Sequence, residues 1–285
     1  FMIIWLASYP KSGNTYLRAF LSAYYYSKDG NFDFGQIANI KQFPDKEFFN
    51  NKIESAIEAS KQWMPAQKKI IQDKKIKFFK THSCLGDYKG NVFTSYETSL
   101  GAVYIVRDPR NVFTSIKNHF GYNNDQALKM ILDKQSHLMA NDGGRFASYS
   151  FISSWAKNYL SWLRYNNFRR IFIKYEDLIE NKYETFRDII VFINTLANRT
   201  EGVDKLKLQK AIETTNFDVL KKKEVNESIN GSDMGFKNWR DFHKENKKFF
   251  FNLGPENKWE KILDVNMKKE IEDNFKEEMK ALKYI

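Results

Sequence analysis

Two consecutive stretches near the start decide the fold: Met2-Ile3-Ile4-Trp5-Leu6-Ala7, then Ser8-Tyr9-Pro10-Lys11-Ser12-Gly13-Asn14-Thr15-Tyr16. The first is an unbroken apolar run of strand length, closed by a turn containing Pro and Gly. That pattern predicts a strand buried on both faces. A helix is predicted from about Thr15 to Tyr26. A strand, a tight loop with Gly and a helix start make an anion site, because backbone N–H groups converge there and the helix dipole favours negative charge. Lys11 adds a full positive charge, and Ser12, Asn14 and Thr15 add donors. This is not a Walker A loop, in which the Lys follows the second Gly; here Lys11 precedes the only Gly. An ordinary strand–helix turn, with Asn14 or Thr15 as N-cap, would carry the same residues.

Outward from this loop, strand-length apolar runs alternate with helical patterns. Lys77-Phe78-Phe79-Lys80-Thr81, Ala102-Val103-Tyr104-Ile105-Val106 and Ile171-Phe172-Ile173 read as three further strands. Ile152, Trp155, Tyr159 and Trp162 fall at helical spacing before the last of these, and Tyr183, Phe186, Ile189, Ile190 and Ile193 after it. Asp108-Pro109 places a Pro in the first turn of a helix. Strands alternating with helices predict an α/β fold, a central parallel sheet flanked by helices on both faces. In such sheets a ligand lies at the carboxyl ends of the strands, so the residues just after each strand matter most.

After the second strand comes Lys80-Thr81-His82-Ser83-Cys84. A histidine at that position can act as a general base, since its pKa lies near neutrality; it can equally be a hydrogen-bonded strand-end residue. Cys84 reads as a small buried hydrophobe rather than a nucleophile. His119, His137 and His243 show no metal-ligand spacing. After the third strand, Arg107 and Ser115 lie eight positions apart, so that a fork of guanidinium donors and a hydroxyl from two turns into the helix can hold one phosphate. The other reading is an Arg–Asp pair opening a helix, with Ser115 merely helical.

Composition bounds the rest. The chain has 285 residues, 42% apolar and 16% aromatic, which suffices for a sizeable core. One cysteine excludes a disulfide framework and a Cys-based zinc site. No apolar run approaches the roughly 18 residues that span a bilayer. Met2 to Ala7 is too short for a signal peptide and has no basic residue before it, so a reducing, cytoplasmic compartment is the expectation. A net charge of +11 favours anionic partners. The lysines are dispersed, and the densest run is only Lys221-Lys222-Lys223, which argues against a nucleic-acid polymer.

Three strand-end motifs together carry a resemblance. Tyr9-Pro10-Lys11-Ser12-Gly13-Asn14-Thr15, Lys80-Thr81-His82, and Arg107-Asp108-Pro109-Arg110-Asn111 with Ser115 resemble the sulfotransferase family, whose members use 3′-phosphoadenosine 5′-phosphosulfate. Lys174-Tyr175-Glu176-Asp177-Leu178 resembles that family's Tyr-Glu-Asp segment, and Thr214-Thr215-Asn216-Phe217 its later adenine-contacting segment. The resemblance implies one sulfotransferase-like domain over residues 1–285, with a P-loop-like strand–loop–helix phosphate site. By position it implies that Lys11, Ser12, Gly13, Asn14 and Thr15 cradle the 5′-phosphosulfate. Arg107 and Ser115 would bind the 3′-phosphate. Tyr16, at the family's usual Trp position, would stack on adenine with Phe217, while Tyr175 and Thr215 line the pocket. His82 would be the base for the acceptor hydroxyl. The residue chemistry agrees: Lys11 can neutralise the leaving phosphate oxygen, Lys80 can contact the transferring group, and these cations leave no need for a metal.

The chain also departs from the family. Cytosolic members close over the 3′-phosphate with an Arg-Lys-Gly segment near the C-terminus. The stretch taken as comparable here, Gly231-Ser232-Asp233-Met234-Gly235-Phe236-Lys237-Asn238-Trp239-Arg240, keeps a Trp and positive charge but not Arg-Lys-Gly, leaving Lys237 or Arg240 as substitutes. The usual dimer segment is not recognisable in Arg240 to Glu245. Two other readings stand beside the enzyme: a kinase-like phosphotransferase, for which only Asp108 suggests a magnesium ligand, and a non-catalytic anion-binding module. The acceptor, a small molecule, lipid or glycan with a hydroxyl or amine, is not identified. The segment Phe120 to Phe151, with Gly143-Gly144 inside it, reads either as a lid or as a surface helical excursion.

Overall fold

The computed structural model describes residues 2–49, 53–142, 145–230 and 251–285. Its strands, in chain order, are β1 (Ile3–Ser8), β2 (Lys41–Gln42), β3 (Lys77–Thr81), β4 (Asp87–Tyr88), β5 (Asn91–Val92), β6 (Ser99–Val106), β7 (His137–Asp142), β8 (Arg145–Phe151) and β9 (Arg169–Lys174). Five of them form one parallel sheet in the order β2-β3-β1-β6-β9, while β4–β5 and β7–β8 are separate antiparallel pairs. The α-helices are α1 (Asn14–Tyr26), α2 (Ala56–Ile70), α3 (Pro109–Phe120), α4 (Asn124–Leu132), α5 (Trp155–Arg164), α6 (Tyr175–Glu180), α7 (Lys182–Leu196), α8 (Lys205–Thr214), α9 (Phe217–Asn230), α10 (Val265–Asn274) and α11 (Lys276–Ala281). No helix among the described residues is long and apolar enough to cross a membrane.

The apolar runs are continuous because both sheet faces are covered. On β1, Ile3, Trp5 and Ala7 enter one core with Trp63 of α2, Phe113 of α3 and Trp155 and Trp162 of α5. Ile4 and Leu6 enter the opposite core with Leu17 and Phe20 of α1 and Phe186, Ile189 and Ile190 of α7. β6 divides likewise, Tyr104 one way and Val103 and Ile105 the other. This is the period-2 alternation of a strand read against two apolar layers.

The chain leaves β1 for β3 on one side and later crosses to β6 on the other. That reversal of direction opens a crevice at the carboxyl ends of β1, β3 and β6. Two predicted helix starts lie at its rim. α3 opens as the sequence indicates: Asp108 accepts from the Arg110 N–H, Pro109 occupies the first position, and Gly121 in the left-handed region ends the helix. α1 differs from expectation. Its N-cap is Gly13, at φ +97°, with no side-chain cap and no acidic residue in the first turn. The Asn14 amide reaches back instead, donating to the Leu6 carbonyl (2.8 Å) and to Ser8 Oγ (3.2 Å).

The Phe120–Phe151 segment is neither all lid nor surface excursion. Its first half is α4, which buries Ala127, Met130 and Ile131 in the core. Its second half is the β7–β8 hairpin; Gly143-Gly144 lies outside the described residues.

Candidate active site at the carboxyl ends of the sheet

Lys11 and Gly13 both have positive φ (65° and 97°), so the loop after β1 curls back toward the start of α1. Glycine is required at position 13: a Cβ there would lie 2.4 Å from the Tyr175 ring, in a backbone conformation that side chains disfavour. Tyr175, first residue of α6, is therefore wedged against the loop. Its other neighbour is the Arg107 guanidinium, 4.2 Å from the ring centroid. Arg107 Nη1 donates to the Lys11 carbonyl (3.0 Å) and to Ser115 Oγ (3.2 Å). The structure thus brings Lys11, Gly13, Tyr175, Arg107 and Ser115 together from three separate stretches of chain.

His82 and Lys80 stand at the next strand end. His82 Nδ1 is 2.8 Å from the Ser8 carbonyl. A carbonyl only accepts, so Nδ1 carries the proton and Nε2 keeps its lone pair. The backbone of His82 is fixed by Asn158 of α5, whose amide donates to its carbonyl (2.9 Å). Lys80 Nζ donates to Oε1 of Gln42 (3.0 Å) on the edge strand β2. Arg18, buried on α1, donates to the Ile37 and Ile40 carbonyls at 3.3 and 2.6 Å.

Crowded, buried cations set the electrostatics. Burial, then the charge of Arg107, pushes Lys11 down to about 7, with Glu224 opposing. Burial, then Arg18 and Lys11, pushes Lys80 down to about 7. Burial and the charge of Lys80 hold His82 well below the usual imidazole value, although the Ser8 carbonyl favours its protonated form. No carboxylate ion-pairs with Arg18, Lys80 or Arg107 among the described residues. Among the described residues, Ser12 Oγ and Arg107 Nε are buried without a hydrogen-bond partner. A polar atom in that state costs about 1–3 kcal/mol. Orphaned donors and like charges in one crevice are what a polyanionic ligand relieves.

The other predicted residues stand around this cluster rather than in it. Tyr16 is only 8% exposed, and its ring sits edge-on to Phe186, 5.4 Å away, in the α1–α7 core. Thr215 is fully buried and donates its hydroxyl to Ala211 O at the end of α8. Asn14 ties Leu6 to Ser8 behind the loop, while Thr15 is buried in the first turn of α1. Phe217 lies directly over Gly254, where a Cβ would be 2.2 Å from its ring. Lys237, Arg240 and the rest of 231–240 lie outside the described residues.

A later segment, which sequence reasoning missed, covers Arg107 and Ser115. Arg107 Nη2 approaches the Gly254 carbonyl (3.5 Å), and Asn257 Nδ2 donates to Ser115 Oγ (2.8 Å) and the Asn111 carbonyl (3.0 Å). Trp259 N–H donates to Asn111 Oδ1 (3.0 Å), and the Trp259 ring lies 3.9 Å from the Arg110 guanidinium. The signal is a second Gly-then-Trp pair, Gly254 and Trp259, further along the chain than Gly235 and Trp239.

Solved structures share this fold. A mouse sulfotransferase complexed with PAP matches with TM-score 0.59 and 16% identity, over 98% of this chain and 84% of that one. A retinol dehydratase in complex with androsterone and inactive cofactor PAP matches with TM-score 0.54 and 16% identity, over 98% and 80%. At that identity the likeness is one of fold. No curated protein sequence matches the chain. The sulfotransferase domain model matches residues 3–283, nearly every residue of the crevice and both cores included, and the chain therefore belongs to the sulfotransferase domain family.

Proposed function

We propose that the chain moves a sulfuryl group from 3′-phosphoadenosine 5′-phosphosulfate to a hydroxyl or amine of a small-molecule, lipid or glycan acceptor. The products are adenosine 3′,5′-bisphosphate and a sulfated acceptor. The observation that carries this reading is the single crevice holding Lys11, Arg107 with Ser115, Lys80, and a neutral His82 with its Nε2 lone pair available. The orphaned Ser12 Oγ and Arg107 Nε, and the Gly13 cradle under Tyr175, fit a phosphorylated nucleotide.

In this reading the α1 start, Lys11 and Ser12 hold the 5′ end of the donor, and Arg107 and Ser115 hold its 3′-phosphate. His82 Nε2 takes the acceptor proton as the acceptor oxygen or nitrogen bonds to sulfur. The bond from sulfur to the phosphate oxygen breaks, and its electron pair stays on that oxygen, where Lys11 stabilises the growing charge. Lys80 faces the transferring group. Positioning and charge stabilisation then supply most of the rate. Tyr175 and Phe217 flank the nucleotide, while Tyr16 and Thr215 act from behind it.

The whole chain is taken as one catalytic unit. A reducing, cytoplasmic setting fits its single cysteine, Cys84, whose thiol burial pushes up to about 12. A screen of the donor-loaded protein across phenols, sterols, amines, lipids and glycans tests the reading, scored by mass gain of one sulfuryl group. Transfer to at least one class, lost in the absence of donor, is the expected result.

A further inference from the structure

We propose that Tyr284, beyond α11 and outside the crevice, is a positioning residue for Arg107, acting by holding the Glu176 carboxylate away from the guanidinium. The inference rests on the donor reading above. Tyr284 Oη donates to Glu176 Oε2 (3.0 Å), and the other carboxylate oxygen, Oε1, accepts from the backbone N–H of Asp108 (3.2 Å), the residue next to Arg107. The Tyr284 carbonyl in turn accepts from Arg110 Nη2 (3.0 Å), and the same Arg110 group grips Asp108 Oδ2 at 2.6 Å. These contacts close a ring: Tyr284 hydroxyl, Glu176, Asp108, Arg110, Tyr284 carbonyl. On the far side, Trp155 Nε1 donates to the Arg107 carbonyl (3.2 Å), so the strand-end turn is held from both directions.

Glu176 follows Tyr175, whose ring packs against the Arg107 guanidinium. The carboxylate is thus close enough for its charge and that of Arg107 to interact, yet the two are not ion-paired. Its two oxygens are spent on Tyr284 and on the Asp108 N–H. Without the Tyr284 hydroxyl, one carboxylate oxygen loses its donor, and Arg107 is a cation whose charge already acts on that carboxylate. An Arg107–Glu176 pair would engage the fork that the 3′-phosphate needs.

The test is calorimetric titration of adenosine 3′,5′-bisphosphate and adenosine 5′-monophosphate into the parent, Tyr284→Phe, and the double variant Tyr284→Phe/Glu176→Gln. The thermal midpoint of each protein is recorded alongside. Tyr284→Phe keeps the ring and its packing. It is expected to cut the preference for the bisphosphate about tenfold, the scale of one charged hydrogen bond. The double variant is expected to regain that preference to within about twofold, because a glutamine cannot ion-pair with Arg107. A merely structural role would lower the midpoint and leave the preference unmoved. A parent that prefers the bisphosphate and a Tyr284→Phe protein that prefers it equally would overturn this inference alone. So would a double variant as impaired as the single one, or loss of folding in Tyr284→Phe with the preference of a Glu176→Gln single variant below that of the parent. Equal affinities in the parent would overturn the donor reading and this inference with it.

Discussion

The crevice has two halves that are built differently. The half around Lys11, Arg107 and Ser115 lies between the central strand β1 and its neighbour β6, and its groups bond to one another directly: guanidinium to loop carbonyl, guanidinium to hydroxyl, guanidinium over the Tyr175 ring. The half around Lys80 and His82 lies one strand further out, beside an edge strand of two residues. It is held by groups distant in sequence: Gln42, Ser8 and Asn158. The first half has the pre-set geometry that gripping an anion needs. In the proposed function the second presents His82 as the base and Lys80 as a cation to the acceptor. Substitutions should therefore separate binding of the nucleotide from the chemical step.

The largest effect that sharpens this contrast is at His82. His82→Asn should bind adenosine 3′,5′-bisphosphate as the parent does, but lose at least about a hundredfold in turnover on a poorly acidic alcohol, as for a missing general base. Steady-state rates with saturating donor, alongside a binding titration, make the comparison. Near-normal turnover would merge the two halves. Next is Arg107→Ala, which should remove most of the preference for a 3′-phosphate, roughly 1.5–3 kcal/mol, by the loss of charged hydrogen bonds. Turnover at saturating donor should change less than affinity.

Gln42→Leu should have a smaller effect, a fall of a few fold in turnover with nucleotide affinity intact, since Lys80 loses one amide partner. A fall in affinity of the same size would place Lys80 in the binding half.

The smallest effect is in protons. Lys11 and Lys80 are held near 7 in the free protein, and a bound polyanion favours their charged forms. Binding at pH 8 should take up protons, and below about pH 6 it should take up almost none, because both lysines are already charged. Binding enthalpies in buffers of different ionisation enthalpy measure this; a zero slope at pH 8 would contradict it. The same depression bears on stability. Between about 7 and the ordinary lysine value near 10.4 the unfolded chain binds more protons than the folded one, so the contribution of these two groups to stability rises with pH across that window. Below it their cost is fully present.

The contrast between halves also explains what the sequence disclosed. Lys77–Thr81 and the Asp108-Pro109 helix start are local patterns, and both stand as expected. Lys11, Gly13, Arg107 and Ser115 lie in short windows after strands, so their meeting at the strand ends was legible from the sequence. The two residues of β2 are too few to show a period, and the value of Gln42 exists only once β2 pairs with β3. Tyr16 and Thr215 have the right spacing, but which helix face packs inward is decided by partners such as Phe186, far off in the chain. Gly254 and Asn257 were missed because an earlier Gly and Trp offered a similar local string. Only tertiary contact puts the later segment on Arg107 and Ser115.

The central claim is that the inner half of the crevice is built for a nucleotide with a 3′-phosphate. Titration of the unmodified protein with adenosine 3′,5′-bisphosphate and with adenosine 5′-monophosphate under identical salt and pH tests it most directly. The bisphosphate is expected to bind at least about tenfold tighter, the scale of the charged hydrogen bonds Arg107 supplies; equal affinities would mean that no group in the crevice recognises a 3′-phosphate.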